Sequence, residues 1–234
     1  MTGWKRKRFW KQARVVADGD GFAVELDGRP VRTPAKAALR LPGRAMAQAI
    51  AAEWDAQEDE IAPATMPFTR TANAAIDKVT PQRAEVAAML AAYGDSDLLC
   101  YRADRPAELV RRQAESWDPA LDWAATALGA RLVPVQGVIH QPQNPQALER
   151  LAARVEAMDP FRLAAFHDLV SLTGSLVLGF AAAQDWRDPE AIWQLSRLDE
   201  RWQEAQWGVD EEAREMAEAK RLAFLHAKRF YDMC

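Results

Sequence analysis

The sequence predicts an α+β fold, in which a small, mainly antiparallel β domain precedes a larger all-helical domain. Residues 14–34 alternate β-branched and polar side chains and are punctuated by Gly and Pro, as in a β-meander. Beyond residue 69 the apolar residues instead recur at helical spacing, and Asp-Pro or Asn-Pro pairs repeatedly precede such segments. We therefore expect domains at 1–65 and 66–234.

The first domain is predicted to contain three strands and one helix. The strand segments are RVVA, FAVELDG and RPVRTP, and Asp27-Gly28 is typical of a tight type I′ turn between two of them. The segment GRAMAQAIAAEWDAQ at 43–57 places apolar residues at helical spacing, so a helix should pack on the sheet. The two Pro residues within 60–70 then predict an extended linker.

In the second domain, dipeptides that end in Pro predict the starts of most helices. Residues 131–142 are the exception, since their Pro and Gly predict an extended connection with a short edge strand. The helix that begins at Asp159-Pro160 is predicted to run through Ala183, and Asp210 is the expected N-cap of the last helix. The other predicted starts are Thr80-Pro81, Arg105-Pro106, Asp118-Pro119, Asn144-Pro145 and Asp188-Pro189.

Composition excludes several function classes. The chain has 234 residues and a net charge of −4, which gives no general attraction to nucleic acid or to anionic membrane. No apolar run approaches the 18 residues of a membrane helix, so we expect no membrane insertion. The basic N-terminal arm, in which Trp4 and Trp10 could pack over the sheet, lacks the apolar segment of a secretory signal. The expected location is therefore the cytoplasm.

Motifs typical of cofactor binding and of catalysis are mostly absent from the sequence. Neither a phosphate-binding Gly-rich loop nor a Cys/His spacing typical of a metal site occurs, so no cofactor and no metal is expected. The apolar run around Cys100 predicts that this residue is a small, buried hydrophobic side chain. The surroundings of His167 predict a structural role for its imidazole. The alternative is a small enzyme with a cleft between helices that uses Cys100, His167 or a carboxylate pair.

An acidic helix near the C-terminus is the candidate binding element. At about 100° per residue, Glu200, Glu204 and Trp207 fall on one side. A large indole beside exposed carboxylates indicates a binding surface, although Trp207 could instead fold back onto a loop. Gly208 decides the place of Glu211, which joins this face only if the helix continues through the glycine. The opposite, apolar side carries Ile192, Leu195, Leu198, Trp202 and Ala205.

Seven motifs are distributed along the chain, namely KRFWK at 7–11, LDGRPVRTPAK at 26–36, AIAAEWDAQ at 49–57, MPFTRTANAAID at 66–77, DLLCYRA at 97–103, LTGS at 172–175 and LDERWQEAQWG at 198–208. Together they cover essentially the whole chain and resemble one family, the ATP synthase assembly chaperones that bind the alpha subunit of its catalytic head.

The resemblance implies a chaperone that holds the free alpha subunit until the hexamer assembles. It implies no enzyme activity, nucleotide or metal, and a mitochondrial matrix location for organellar relatives. Trp54 and Asp55 fall on the structural EWD motif, and Glu200 and Glu211 fall on the family's acidic positions. With Glu204 and Trp207, these two carboxylates form the predicted set that binds the client, meaning the protein that the chaperone holds. A monomer is the simplest expectation for the free protein. A permanent subunit of some complex is the remaining alternative class.

Overall fold

The computed structural model describes residues 7–234, so Trp4, which could pack over the sheet, lies outside the described residues. The chain divides into two compact units. Compactness alone does not test independent folding, so the domains at 1–65 and 66–234 stay a prediction. Unit 1 comprises Met1–Arg83, Asp159–Ala164 and Arg229–Cys234, and unit 2 comprises Ala84–Met158 and Ala165–Lys228.

The order of strands and helices confirms the predicted α+β class. A three-stranded antiparallel sheet comes first and the remainder is mostly helical. The strands are β1 (Ala13–Asp18), β2 (Gly21–Leu26), β3 (Arg29–Pro30), β4 (Tyr101–Arg102) and β5 (Val135–Gln136). The helices are α1 (Arg44–Asp55), α2 (Pro67–Ala74), α3 (Arg83–Ala91), α4 (Ala107–Trp123), α5 (Pro145–Glu156), α6 (Pro160–Thr173), α7 (Leu176–Ala183), α8 (Pro189–Ser196), α9 (Leu198–Trp207) and α10 (Glu211–Tyr231).

The hairpin between β2 and β3 has the predicted turn. Asp27 and Gly28 both have positive φ, at 48° and 80°, as a type I′ connection requires. β3 is only two residues long and ends at Pro30, shorter than the predicted segment. A proline has no N–H to donate to a neighbouring strand, which limits the ladder at this point.

The predicted extended linker at 60–70 is wrong, because α2 begins inside it at Pro67. Pro67 occupies the first turn, where a missing N–H costs nothing. The carboxylate of Glu53 on α1 accepts hydrogen bonds from the backbone N–H groups of Phe68 at 2.6 Å and Thr69 at 2.7 Å. A distant side chain therefore caps this helix, which local sequence could not indicate.

The two residues after Glu53 also contact distant parts of unit 1. Asp55 accepts a hydrogen bond from the N–H of Ala13 at 2.7 Å, which fixes the start of β1. The Trp54 ring packs edge-on against Trp10, with ring centroids 5.2 Å apart. The EWD segment thus joins the sheet, α1 and α2.

Two predicted helix starts are wrong. Pro81 lies in a single 3₁₀ turn, Thr80–Gln82, within a helical path that begins at Pro67. Pro119 lies inside α4, which runs unbroken from Ala107 to Trp123. An internal proline costs about 3 kcal/mol. Trp117 and Leu121, two residues to either side of Pro119, are buried, and the burial of their side chains helps to offset that cost.

The long helix predicted from Pro160 to Ala183 is two helices, α6 and α7. Gly174 adopts a left-handed φ of 69° and ends α6, and the Ser175 hydroxyl caps α7 by accepting from the N–H of Leu178 at 3.0 Å. The LTGS motif is therefore a helix-break signal.

A second break separates α8 from α9 at Arg197, where the backbone turns to φ −99° and ψ 11°. The helix predicted to continue from Asp188 into the acidic segment is therefore also two helices. By contrast, the edge strand predicted within 131–142 is confirmed, because β5 pairs in parallel with β4.

Candidate functional site

The acidic helix α9 ends at Gly208, which has a φ of 93° that suits glycine. Asp210 then caps α10, since its carboxylate accepts from the N–H groups of Glu212 at 2.9 Å and Ala213 at 3.3 Å. Glu211 therefore belongs to the first turn of α10. It forms an ion pair with Arg214 on the same helix.

Arg197 organises the acidic face of α9. Its guanidinium lies 2.8 Å from Glu200 and 3.4 Å from Glu204. The Arg197 side chain is only 18% exposed, whereas the Glu200 side chain is 48% exposed. The structure thus brings two of the predicted carboxylates together around a largely buried cation. Sequence reasoning missed Arg197, although a basic residue three positions before Glu200 is a recognisable helix-pair signal.

Trp207 lies at the end of this helix with 79% of its surface exposed. The alternative in which it folds back onto a loop is therefore wrong. Val209, two residues later, is also exposed. An exposed indole next to carboxylates can supply apolar contact area and an N–H donor to a partner, and Trp is enriched at the energetic centres of interfaces.

The opposite side of α9 anchors the helix in unit 2. Trp202 is buried and lies beneath the guanidinium of Arg112, which is 5.1 Å from the ring centroid. Asp199 accepts a hydrogen bond at 2.8 Å from Gln113, a buried residue of α4. Ala205 is exposed, contrary to the prediction, and lies in the last turn of α9, just before the helix ends at Gly208.

The likeness to known proteins covers both the sequence and the fold. The model of the family described as "ATP12 chaperone protein" matches residues 7–125. The chain belongs to the ATP12 chaperone family. It is 51% identical to Atp12 from Paracoccus denitrificans, whose crystal structure matches with a TM-score of 0.96 over 99% of each chain.

Two further relatives extend the ATP12 likeness. A putative chaperone of Agrobacterium tumefaciens, the Atu1473 protein, is 43% identical and has a TM-score of 0.92 over 97% of this chain and 85% of that one. Protein atp12, mitochondrial, of Schizosaccharomyces pombe is 26% identical over 222 residues, covering 90% of this chain and 76% of that protein. The chain is accordingly an assembly chaperone of ATP synthase and not an enzyme.

The surroundings of Cys100 agree with a chaperone of the ATP12 family. Cys100 is 1% exposed, and burial, followed by the negative charge of Asp97, raises the pKa of its thiol to about 12. A thiol with this pKa holds almost no thiolate at neutral pH, so it is a poor nucleophile. His167 pairs instead with Asp168 at 2.9 Å, and this hydrogen bond raises the pKa of the His167 imidazole.

Residues 7–234 of this ATP12-family chain contain neither a cluster of metal ligands nor a helix suited to a membrane. Within that range no group of three or more His, Cys, Asp and Glu side chains is placed to hold a metal ion. None of the helices described there is both long enough and apolar enough to cross a membrane.

Proposed function

We propose that this chaperone binds the free alpha subunit of ATP synthase, shields its subunit interface, and releases it during assembly of the alpha/beta hexamer. The observation that carries the proposal is the surface formed by Glu200, Glu204 and the exposed Trp207. Glu211 lies beyond the end of α9, in the first turn of α10, and enters the proposal as a separate acidic contact rather than as part of this face. No cofactor takes part, and the free chaperone is a monomer of the bacterial cytoplasm, with organellar relatives in the mitochondrial matrix.

The physical chemistry of a free subunit explains why such a surface is useful. A standard interface covers about 800 Å² per partner, and its apolar part aggregates when left exposed. Burial of Trp207 against that part supplies affinity. Carboxylates steer a basic client and fix the orientation of the complex, because complementary charge raises the association rate and disfavours wrong partners.

Glu200 is the sharpest test of this proposal. Glu200→Lys places a cation beside Arg197 and reverses the charge offered to the client, and we expect it to abolish capture of purified alpha subunit. The fold should persist, because the Glu200 side chain is about half exposed and a surface ion pair contributes under about 1 kcal/mol. Capture is measured by co-elution with the alpha subunit in size-exclusion chromatography.

The matched control is Glu149→Lys, which makes the same charge change at an exposed position of α5. It should capture the alpha subunit as the parent protein does. If Glu200→Lys also captures normally, or if both variants lose capture equally, the acidic face of α9 is not the binding surface.

A further inference from the structure

Two adjacent apolar side chains stand far out of unit 2, on the loop that follows β5. Val138 is 91% exposed and Ile139 is 78% exposed. Scattered exposed apolar residues are ordinary in proteins. Two adjacent, strongly exposed apolar side chains indicate a binding surface when the backbone that carries them is held in place. Hydrogen bonds anchor this loop at its base and at its tip.

Gln143 closes the base of this loop. Its side chain accepts a hydrogen bond from the N–H of Val133 at 2.8 Å and donates one to the carbonyl of Val133 at 2.9 Å. The N–H of Gln143 also donates to the carboxylate of Asp95 at 2.7 Å. Gln143 is 6% exposed, so these bonds are shielded from competition by water.

The tip of the loop has its own anchors. The N–H of Gly137 donates to the carbonyl of Arg102 at 2.8 Å, which continues the pairing of β4 with β5. The His140 ring lies with Nε2 3.3 Å from the Asp95 carboxylate and Nδ1 3.1 Å from the Tyr101 hydroxyl. Val138 and Ile139 thus lie between two fixed points, and a preordered tip loses little conformational entropy on binding.

A buried glutamine connects this loop to the acidic helix. Gln113 of α4 is 2% exposed and accepts a hydrogen bond from the N–H of Ala103, directly after β4, at 2.8 Å. The same side chain donates to Asp199 of α9 at 2.8 Å. The strand pair that supports the loop and the helix that carries Glu200 are therefore joined inside one compact unit.

We propose that Val138 and Ile139 form a second contact with the alpha subunit, in which the tip of the loop enters an apolar pocket of the client held by α9. This inference rests on the proposed function. Two aliphatic side chains offer far less than the roughly 800 Å² per partner that a stable dimer needs. The pair therefore serves a partner that is anchored elsewhere on this unit, rather than a second copy of the chain.

The test compares binding of purified alpha subunit to the parent protein and to the double variant Val138→Ser, Ile139→Ser. Burial of two such side chains strengthens binding by on the order of 100-fold, so the double variant should bind about 10- to 100-fold more weakly. The loss should be the same at low and high salt, because no charge is changed. Thermal unfolding should be unaltered, since both residues are exposed.

Two controls separate the apolar contact from general effects. Met89→Ser removes an exposed apolar side chain from α3 and should bind normally. The conservative pair Val138→Ile, Ile139→Val should also bind normally, because apolar area is retained.

The outcomes distinguish this inference from the proposed function. If the parent protein fails to bind the alpha subunit, both fall. If the parent binds and Glu200→Lys does not, while the double serine variant binds like the parent, only the second contact is overturned. Concentration-dependent self-association, or binding to phosphatidylcholine vesicles, that the serine variant abolishes without any change in alpha-subunit affinity would assign the loop to another occupant and overturn it too.

Discussion

Trp207 and Trp202 are two residues of the same type with different roles in α9. Trp202 is 9% exposed and holds the helix to unit 2, whereas Trp207 is 79% exposed and contributes little to the fold. The helical pattern separated these two indoles correctly. It failed at Ala205, which is exposed in the last turn of α9, because spacing predicts which side of a helix a residue lies on but not how far along the helix the packing extends.

For Trp207→Ala we expect an unchanged melting temperature and alpha-subunit binding that is weaker by about 30-fold or more, the usual cost of removing a Trp at the centre of an interface. Thermal denaturation measures the melting temperature, and a binding titration measures the affinity for the alpha subunit. Trp202→Ala is the contrasting variant and should lower the melting temperature. A Trp207→Ala protein with normal affinity would remove this indole from the binding surface.

Asp97 is an acidic residue in the interior of unit 2. Its side chain is fully buried and accepts hydrogen bonds from the Ser175 hydroxyl at 2.7 Å and from the N–H groups of Leu99 and Val177 at 3.0 Å each. Burial raises the pKa of the Asp97 carboxyl to about 6, although these hydrogen bonds act in the opposite direction. Asp97 thereby ties the 3₁₀ turn Leu98–Cys100 to the start of α7.

The raised pKa of Asp97 predicts a pH dependence of stability. The folded state binds this proton more tightly than the unfolded chain, so the contribution to the free energy of unfolding is full below about pH 4. That contribution is lost as the pH rises through about 6, and it amounts to about 3 kcal/mol at most. Urea unfolding of the parent and of Asp97→Asn, from pH 4 to 7.5, should give a difference that declines over this window. A difference that stays constant would show that the Asp97 pKa is not raised.

At the scale of elements, the proline and glycine residues predicted only some of the helix boundaries correctly. Six dipeptides with proline predicted helix starts, yet Pro81 and Pro119 lie within helical segments. Near Pro119, burial of Trp117 and Leu121 helps to offset the cost of an internal proline. Gly174 ends a helix that the sequence alone left continuous. The start of α2 depends on Glu53, fourteen positions before Pro67, and local patterns do not record such long-range caps.

The contact between α6 and α7 depends on the missing side chain of Gly179. A Cβ atom there would lie 2.6 Å from Cγ2 of Val170 and 3.4 Å from the Phe166 ring. Gly179→Ala should therefore lower the free energy of unfolding by about 1–3 kcal/mol, as measured by urea denaturation. Val170→Ala should relieve the clash, so the double variant should be more stable than the sum of the two single effects predicts. Simple additivity would show that this contact is not the cause.

The candidate site was predictable in part. Helical spacing predicted that Glu200, Glu204 and Trp207 share one face, and it left two possible positions for Glu211. Arg197, the cation between Glu200 and Glu204, was not predicted as part of that acidic face. The apolar loop tip was missed because exposure of Val138 and Ile139 results from a fold-dependent set of hydrogen bonds.

At the scale of the whole molecule, both proposed contacts with the client lie in unit 2, which contains α9, the loop after β5 and the buried Gln113 between them. Membership of the ATP12 chaperone family establishes the class of function, and the acidic face is consistent with a basic, apolar client. An assembly chaperone binds its client before assembly and is absent from the finished enzyme, whereas a permanent subunit remains in the finished enzyme.

The most direct measurement is therefore a pull-down from native lysate with the tagged chaperone as bait, followed by quantification of the ATP synthase alpha and beta subunits. We expect the alpha subunit to be recovered without the beta subunit, and Glu200→Lys to recover neither. Recovery of both subunits in equal amounts, or of no alpha subunit at all, would contradict the proposed function.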